Sequence, residues 1–274
     1  MPGTEDAPAP LGVIGGSGLY SLLDADVEEI LVETPYGDPS DVLVRGRVDG
    51  APVVFLPRHG RGHRHPPHRI NYRANLWALR YLGVRQVIAP CAVGSLRPES
   101  GPGAFVLPHQ VVDRTSGRVG TYFDTGAVHV PFADPYCPGL RETLLKSAAT
   151  LDLPVVDGGT TVVIDGPRFA SRAESQWYAA QGWSLINMTA QPEATLAREL
   201  ALCYQPVALV TDHDAGTAPG ESVTQTEVFR IFADNLTHLR ALILTAAPTA
   251  TTRTREDCPC PDTHHGITLP LTLP

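Results

Sequence analysis

Short runs of apolar residues alternate along the chain with longer segments in which apolar residues recur every three or four positions. The short runs predict buried β-strands at 11–15, 52–57, 86–93, 105–108, 161–165, 183–186 and 206–210. The longer segments predict helices at 71–83, 138–151, 172–181, 192–202 and 222–245. Strands that alternate with helices in this way are typical of an α/β protein.

No linker rich in Gly, Ser or Pro interrupts the alternating pattern, which runs from residue 11 to residue 248. We therefore predict a single α/β domain with a mixed, partly closed central β-sheet flanked by helices. Residues 1–10 are expected to form a disordered leader, because Pro, Gly, Asp and Glu dominate there. Residues 249–274 are rich in Pro and Thr, and they are expected to form a C-terminal tail that packs on the surface or is partly mobile.

The charge balance narrows the classes of partner. The 274 residues carry 21 basic and 29 acidic side chains, a net charge of −8, which argues against nucleic acid as a bulk partner. No apolar run is long enough to span a membrane, and the first ten residues lack the basic and apolar blocks of a signal peptide. We therefore expect a cytoplasmic protein with neither a nucleic-acid nor a membrane partner.

Cysteine usage is compatible with a reducing compartment, since five cysteines are spread along the chain. Three lie in apolar or partly apolar surroundings and are expected to be packed thiols: Cys91, Cys137 and Cys203. Cys258 and Cys260 flank a proline and precede His264 and His265, so they could form a redox pair or part of a metal site. Their spacing does not match that of a zinc site, and we predict two incidental thiols on a mobile tail and no metal.

Two carboxylates follow the predicted strand at 206–210, in the sequence Thr211-Asp212-His213-Asp214. Side chains at i and i+2 of a strand point to the same side, and open α/β sheets bind ligands at the carboxyl ends of their strands. One carboxyl group could share a proton with a ring nitrogen while the other accepts a hydrogen bond from an amino group, which suits adenine. A surface turn or a cation site is the alternative interpretation.

Phosphate donors follow two earlier strands. Gly15-Gly16-Ser17-Gly18 could form a nest of backbone amides with the Ser17 hydroxyl, or simply a tight turn. Arg58 and His59 offer a guanidinium fork and an imidazole donor to phosphate oxygens. The Arg-His-Gly sequence also matches histidine phosphatases, although there it is expected on the first strand. A transition-metal cluster is a further alternative, formed by His59, His63, His65 and His68.

Two more loops complete the set of candidate sites. Phe169 follows the strand at 161–165 and could stack on a base, although packing in the core is the commoner fate of a phenylalanine. Thr189 precedes a predicted helix and could donate to phosphate, or it could only cap that helix. Phosphate donors, a stacking ring and paired carboxylates, all in loops at strand ends, together predict a nucleoside-plus-phosphate site.

The order of these motifs resembles that of the trimeric purine nucleoside phosphorylase superfamily, and within it the methylthioadenosine phosphorylases. The matching segments extend over nearly the whole chain, at 12–19, 35–41, 58–61, 71–79, 94–96, 113–115, 166–169, 171–175 and 186–189. The resemblance implies phosphate-dependent cleavage of 5′-methylthioadenosine to adenine and 5-methylthioribose 1-phosphate. It implies no metal or organic cofactor, since inorganic phosphate is a co-substrate, and a homotrimer or a dimer of trimers.

The resemblance also assigns residues to each part of the site. Phosphate would be bound by Ser17, Arg58, His59, Cys91, Ala92 and Thr189. The purine would be bound by Phe169, Asn187, Asp212 and Asp214. The ribose and the 5′-substituent would be bound by Met188, His129, Gln225, Val228 and Phe229, with His129 reaching a neighbouring subunit. The residues with catalytic roles would be Asp212, Arg58 and Ser17.

Three residues depart from the usual pattern of the family. Cys91 stands where a threonine is common, Ala170 replaces a common serine, and Gln225 is polar where an apolar residue often touches the methylthio group. Adenosine, other 5′-modified adenosines and 6-oxopurine nucleosides such as inosine or methylthioinosine are therefore alternative substrates. Relatives that act on 6-oxopurines tend to carry Asn at the position of Asp212. A phosphatase that uses His59 and a non-catalytic nucleoside-binding protein are the alternatives from other classes.

Overall fold

A computed structural model describes residues 8–16, 19, 23, 26–215 and 222–274. Its strands are β1 (Leu11–Gly15), β2 (Glu28–Ile30), β3 (Leu43–Val48), β4 (Ala51–Pro57), β5 (Gln86–Ser95), β6 (Phe105–Leu107), β7 (Gln110–Asp113), β8 (Val155–Asp157), β9 (Thr160–Val163), β10 (Leu185–Asn187) and β11 (Cys203–Asp212). Its α-helices are α1 (Tyr72–Tyr81), α2 (Pro138–Thr150), α3 (Arg172–Ala180), α4 (Ala190–Glu199), α5 (Gln225–Asp234) and α6 (Leu236–Thr252).

The strands form one mixed sheet that branches at β5. Its main path runs β2-β3-β4-β1-β5-β10-β9-β7, and β11 pairs with β5 and with β6, which in turn pairs with β8. The first part of β5 lies parallel to β1, and nearly its whole length lies parallel to β11. Gly94 and Ser95 at its end pair with β10 in the antiparallel direction. The α/β prediction with a mixed sheet is thus confirmed. In the described residues the sheet branches and is not closed on itself.

Helices cover both faces of the sheet. Successive side chains of a strand point to opposite faces, so each central strand contributes to the apolar packing on both sides. In β4, Val53 and Phe55 pack into an apolar cluster with residues of α2 and α6. Val54 and Leu56, the alternating residues of the same strand, pack into a second cluster with residues of α1 and α4. A strand buried on both faces reads as a continuous apolar run, which is why β1, β4, β5 and β11 were predictable from the sequence.

The predicted helix at 222–245 is wrong in its extent. Two helices replace it, and they meet at Asn235, whose backbone and side-chain amides both donate to the carbonyl oxygen of Ile231 at 3.2 and 2.9 Å. The apolar spacing continues through Asn235, so the pattern does not show the break. The second helix, α6, continues past Pro248 to Thr252. None of the helices in the described part of the chain is long and apolar enough to cross a membrane.

Four parallel neighbours, β4, β1, β5 and β11, end along the same edge of the sheet. Their last residues are Pro57, Gly15, Ser95 and Asp212. The loops that follow these strands therefore meet at one edge, as expected for the ligand site of an α/β sheet. The predicted phosphate donor Arg58 and the predicted purine ligand Asp212 both lie there.

Candidate active site

Arg58 is held at this edge by hydrogen bonds to the protein itself. Its side chain is 3% exposed. The Nε and Nη2 atoms donate to the two carboxylate oxygens of Glu193, each at 2.9 Å. Nη1 donates to the carbonyl oxygen of Pro90 at 2.8 Å, and Nη2 also donates to that of Ile14 at 3.0 Å. Four of the five guanidinium N–H groups thus have acceptors, and among the described residues the second N–H on Nη1 has none, so it can face a ligand.

The bidentate contact that the sequence suggested for phosphate is therefore made to Glu193. This carboxylate is fully buried in α4 and also accepts a hydrogen bond from the Tyr204 hydroxyl at 2.8 Å. Three buried polar side chains thus satisfy one another, as burial requires. What Arg58 offers a phosphate is a rigidly placed positive charge and a single N–H donor.

His59, the next residue, is neutral near pH 7 and has a defined tautomer. Burial lowers the pKa of His59 to about 4. Its Nδ1 atom lies 2.9 Å from the carbonyl oxygen of His65, so Nδ1 carries the proton and donates to that oxygen. The Nε2 atom is then an acceptor. The imidazole was expected to donate to phosphate, but in this state it suits a protonated phosphate oxygen instead.

The other histidines of this loop do not form a metal site. The rings of His59 and His63 stack at a centroid distance of 4.8 Å. In the residues that the structure describes, only one group of three or more metal-ligating side chains is close enough to share an ion, and it contains no histidine. The alternative of a cluster that joins His59 and His63 to His65 and His68 is therefore wrong for the described chain.

Asp212, which is half-buried, and Asp214, which is buried, lie next to each other at the end of β11. Oδ2 of Asp212 accepts from the Thr211 hydroxyl at 2.8 Å, and Oδ1 accepts from the backbone amide of Asp214 at 3.0 Å. Oδ2 of Asp214 accepts from the Ser175 hydroxyl. Burial raises the pKa of Asp212 to about 6 and raises that of Asp214 as well. At 5% exposure Asp214 does not belong to a surface turn.

Asp214 reaches this position through a turn and not through the alternation of a strand. It follows the end of β11, and its φ of 21° lies in the left-handed region. The space comes from Gly94 on the neighbouring strand: a Cβ there would lie 2.9 Å from Oδ1 of Asp212 and 3.2 Å from Cβ of Asp214. A residue with a side chain at position 94 would displace both carboxylates.

Cys91, Asn187 and Thr189 line the region between Arg58 and Asp212. Cys91 is buried on β5, and Nδ2 of Asn187 lies 3.6 Å from its sulfur. Burial raises the pKa of Cys91 to about 11, so the thiol is neutral. Oδ1 of Asn187 accepts from the amide of Ala190 at 3.3 Å. Thr189 occupies the N-cap of α4, but its hydroxyl makes no capping bond, which leaves it available to a ligand.

Arg118 joins the loops that carry the ribose and purine candidates. Its side chain is 6% exposed. It donates to the carbonyl oxygens of Met188 at 2.8 Å, Gln191 at 2.6 Å and Asp165 at 2.7 Å. Gly166, with a φ of 63°, packs so closely that a Cβ there would overlap the sulfur of Met188. Met188 and the nearby Phe169 are half-buried.

Helix α5 places its residues beside the loop that carries His59 and His63. The ring of Phe229 meets that of His63 at a centroid distance of 5.7 Å, and Phe229 is 49% exposed. Val228 is half-buried and Gln225 is exposed at the first turn of the helix.

His129 is exposed, and no hydrogen bond or ring contact in the described part of the chain joins it to these residues of α5. Ser17 lies outside the described residues. Ala92 is half-buried next to Cys91.

The family model of the phosphorylase superfamily matches residues 10–247. The chain belongs to this superfamily. The matched range includes every strand and helix described above except the last part of α6. It also includes all the sequence-predicted site residues, Ser17 among them.

Similar phosphorylases come from several organisms. A purine nucleoside phosphorylase of Streptomyces coelicolor is 55% identical over 275 residues, which cover 97% of this chain and 98% of that protein. An S-methyl-5′-thioadenosine phosphorylase of Mycolicibacterium smegmatis is 56% identical over 265 residues, 96% of this chain and 99% of that protein. A methylthioadenosine phosphorylase of Schistosoma mansoni, solved in complex with adenine, superposes with a TM-score of 0.87 at 37% identity and covers 90% of this chain and 93% of that chain.

Two residues that matter in this phosphorylase were not singled out from the sequence. Glu193 stands in the first turn of a helix, where an acidic residue is normally explained by the helix dipole. Arg118 lies in an irregular segment between β7 and α2, where no pattern signals a buried charge. A cue for Glu193 did exist: a buried arginine at a strand end needs a carboxylate partner, and Glu193 follows the predicted phosphate donor Thr189 by one helical turn.

Proposed function

We propose that this phosphorylase cleaves the N-glycosidic bond of 5′-methylthioadenosine with inorganic phosphate and yields adenine and 5-methylthioribose 1-phosphate. The observation that carries the proposal is the pairing, along one sheet edge, of a fixed cation with a buried carboxyl group. Arg58 supplies the cation after β4, and Asp212 supplies the carboxyl group, with a pKa of about 6, at the end of β11. The names of the relatives, most of them methylthioadenosine phosphorylases, support the same substrate.

The chemistry follows from where charge develops. As the bond between C1′ and N9 breaks, its electron pair moves into the purine and positive charge builds up on the ribose. A phosphate held by Arg58 and the Thr189 hydroxyl stabilises that cation, and one of its oxygens then forms the new bond to C1′. A proton shared between Asp212 and N7 offsets the charge on the purine, while Asp214 accepts from the 6-amino group. Phosphate is a co-substrate, and the reaction needs no cofactor.

The buried site gives Asp212 a pKa suited to this role. An exposed aspartate is almost wholly ionised at pH 7, whereas burial raises the pKa of Asp212 to about 6, so part of the population is protonated there. The two hydrogen bonds that Asp212 accepts prevent a larger rise because they stabilise the carboxylate. The group can therefore exchange a proton with N7 at little cost.

The site is incomplete in a single chain, which supports an oligomer. Helix α5 contributes Val228 and Phe229 beside the loop that carries His59 and His63, yet it has no buried residue, and Phe229 is 49% exposed. A pocket for a methylthio group must exclude water, and we infer that a neighbouring subunit covers this side. His129, exposed in the single chain, is our candidate for the covering residue. We propose a homotrimer or a dimer of trimers in the cytoplasm, where the five unpaired cysteines would stay reduced.

Base release from three nucleosides tests the proposed reaction. The protein is incubated with methylthioadenosine, adenosine and inosine, with and without phosphate, and the free base is measured by chromatography. We expect adenine release that depends on phosphate and is fastest with methylthioadenosine. Release of base without phosphate, or no release from any of the three, would contradict a phosphorylase. Faster cleavage of adenosine or inosine would support the proposed phosphorolysis but would show that methylthioadenosine is not the preferred substrate.

The second candidate is a purine nucleoside phosphorylase of broader specificity. It is supported by Gln225, a polar and exposed residue at the start of α5, and by the name of the Streptomyces coelicolor relative. In a closed oligomer the amide of Gln225 would face the 5′-substituent, where it would favour a hydroxyl group over a methylthio group. Both candidates use the same phosphate and purine contacts.

The variant Gln225→Leu separates the two candidates. Leucine would add apolar contact to a methylthio group, and burial of one methylene is worth about 0.8 kcal/mol, so the ratio of kcat/KM for methylthioadenosine to that for adenosine should rise about fourfold. The matched control is Thr226→Val on the same exposed helix, which should leave the ratio unchanged. If the ratio of kcat/KM values is the same in Gln225→Leu as in the wild type, Gln225 does not contact the 5′-substituent.

A further inference from the structure

Four cysteines meet in the core at the far end of β11 from Asp212. They are Cys137, Cys203, Cys258 and Cys260, all buried, and their four Sγ atoms lie within 4.8 Å of one another. Cys203 begins β11, and nine residue steps at about 3.3 Å each separate it from Asp212 by about 30 Å. We call these four residues the cysteine cluster. It lies well outside the proposed active site, and the sequence pattern had suggested only incidental thiols at Cys258 and Cys260.

The spacing of the sulfur atoms fits a tetrahedral thiolate site. Four sulfurs at about 2.3 Å from a zinc ion lie about 3.8 Å from one another. The upper limit of 4.8 Å for all pairs, and the 3.5 Å between Cys203 and Cys258, bracket that value. Three elements supply the ligands: Cys137 is the N-cap of α2, Cys203 begins a central strand, and the Cys258-Pro259-Cys260 segment follows α6. Closed structural sites of this kind join separate elements.

The surroundings of the cysteine cluster provide donors for negatively charged sulfur. Nη2 of Arg253 lies 3.5 Å from the sulfur of Cys137 and 3.4 Å from that of Cys203. Nε of Arg255 lies 3.3 Å from the sulfur of Cys203. The amide of Leu140, in the first turn of α2, donates to Cys137 at 3.4 Å, and a helix N-terminus favours a thiolate. Donors around the sulfurs of a metal site stabilise and orient the ligands.

The charge balance favours metal-bound thiolates over disulfides. In the described chain Arg255 has no carboxylate within 4.0 Å, whereas Arg253 pairs with Asp257 and still directs one nitrogen at two sulfurs. Four thiolates and one divalent cation carry a net charge of −2, which the charge of Arg255 and the N–H groups that Arg253 directs at the sulfurs partly offset. Disulfide sulfurs are neutral and weak acceptors, so they would be poorer partners than thiolates for the N–H groups of Arg253 and Arg255.

We propose that the cysteine cluster binds one zinc ion per chain in a structural site. Binding converts four thiols into thiolates, forms four Zn–S bonds and releases four protons to solvent. The site would fix the segment after α6 to the N-terminus of α2 and to the start of β11. Its contribution is to stability, because Asp212 and the other proposed catalytic groups lie at the opposite edge of the sheet.

Metal content and metal substitution test the proposal. Full-length chain expressed with zinc in the medium and purified with a reductant, without chelator, should contain one zinc per chain by plasma mass spectrometry. Exchange with Co²⁺ should give the intense visible bands of tetrahedral cobalt and a near-ultraviolet charge-transfer band of cobalt–thiolate bonds. Titration of the wild-type protein with a mercurial reagent should release the zinc as four thiols react. This measurement does not depend on whether a cysteine variant can fold.

Two variants locate the ion. Cys258→Ser/Cys260→Ser should lose the zinc and unfold at a lower temperature, and it should keep kcat/KM at room temperature within about twofold of the wild type, because the site is structural. Cys91→Ser is the control for metal content, since Cys91 lies on β5 outside the cysteine cluster, and it should keep the zinc. Reduced wild-type protein that binds neither zinc nor cobalt would overturn the proposal. So would disulfides within the cluster that persist in reductant with zinc present.

Discussion

The variant Asp212→Asn should lower kcat for methylthioadenosine by about 10²- to 10⁴-fold, the contribution typical of a positioned acid or base. Asparagine has nearly the same size and still offers one oxygen to the Thr211 hydroxyl or to the amide of Asp214, so the turn should keep its shape. Its amide can donate a hydrogen bond to N7, but it is too weak an acid to transfer a proton to it. Turnover is measured under saturating phosphate and nucleoside, so that a change in KM is not mistaken for one in kcat.

Two checks accompany this experiment. Glu142→Gln, a change at an exposed carboxylate on α2, should leave kcat unchanged. The circular dichroism and melting temperature of Asp212→Asn should match those of the wild type, because one lost hydrogen bond to a half-buried side chain is a small perturbation. If turnover stayed within about threefold of the wild type, Asp212 would not be the acid that assists departure of adenine.

The dependence of the wild-type reaction on pH follows from the same group. With the pKa of Asp212 raised to about 6, its protonated fraction falls as the pH rises through 6. A step that needs the proton should therefore show kcat/KM falling on the alkaline side of about pH 6, and Asp212→Asn should lack this limb. The neighbouring Asp214, whose pKa burial also raises, titrates together with Asp212, so the limb reports on the pair.

The sequence located the parts of the site that follow apolar strands. Arg58 and Asp212 stand directly after β4 and at the end of β11, and both strands are buried on both faces and therefore visible as apolar runs. The resemblance adds Met188 and Phe229 as candidates, and no pattern in the sequence indicates them. Four strands were missed: β2, β3, β7 and β8. Three of them have only three or four residues, and all four carry polar or exposed residues.

Contacts between polar side chains that are far apart in the sequence could not be predicted from apolar runs. The carboxylate of Glu193 meets Arg58 across 135 positions of the chain, and Cys258 meets Cys203 across 55. Apolar periodicity places an element on the sheet, but it does not say which polar groups of two elements end up opposed. The break at Asn235 is similar, because the backbone leaves the helical conformation there while the apolar spacing continues.

The arrangement around Arg58 explains how a cation can be ready for phosphate in a buried site. An isolated guanidinium would be costly to bury, and one paired only with the ligand would lose its order each time phosphate leaves. Glu193 keeps the charge in place between turnovers, and Tyr204 in turn hydrogen-bonds the carboxylate. The cost is that the pair adds no net positive charge, so we propose that phosphate draws on other donors as well, among them Thr189 and backbone amides.

The variant Glu193→Ala should be strongly destabilised, by about 3–5 kcal/mol, because it leaves the buried guanidinium of Arg58 without a counter-charge. The free energy of unfolding is measured by denaturant titration, with the surface variant Glu142→Ala as the control, which should unfold at the wild-type midpoint. The double variant Arg58→Met/Glu193→Leu removes both charges and fills a similar volume, so its free energy of unfolding should be close to that of the wild type. The double variant should remain inactive, because phosphate has lost the fixed cation. If Glu193→Ala unfolded at the wild-type midpoint, the ion pair would not be what holds Arg58 in the site.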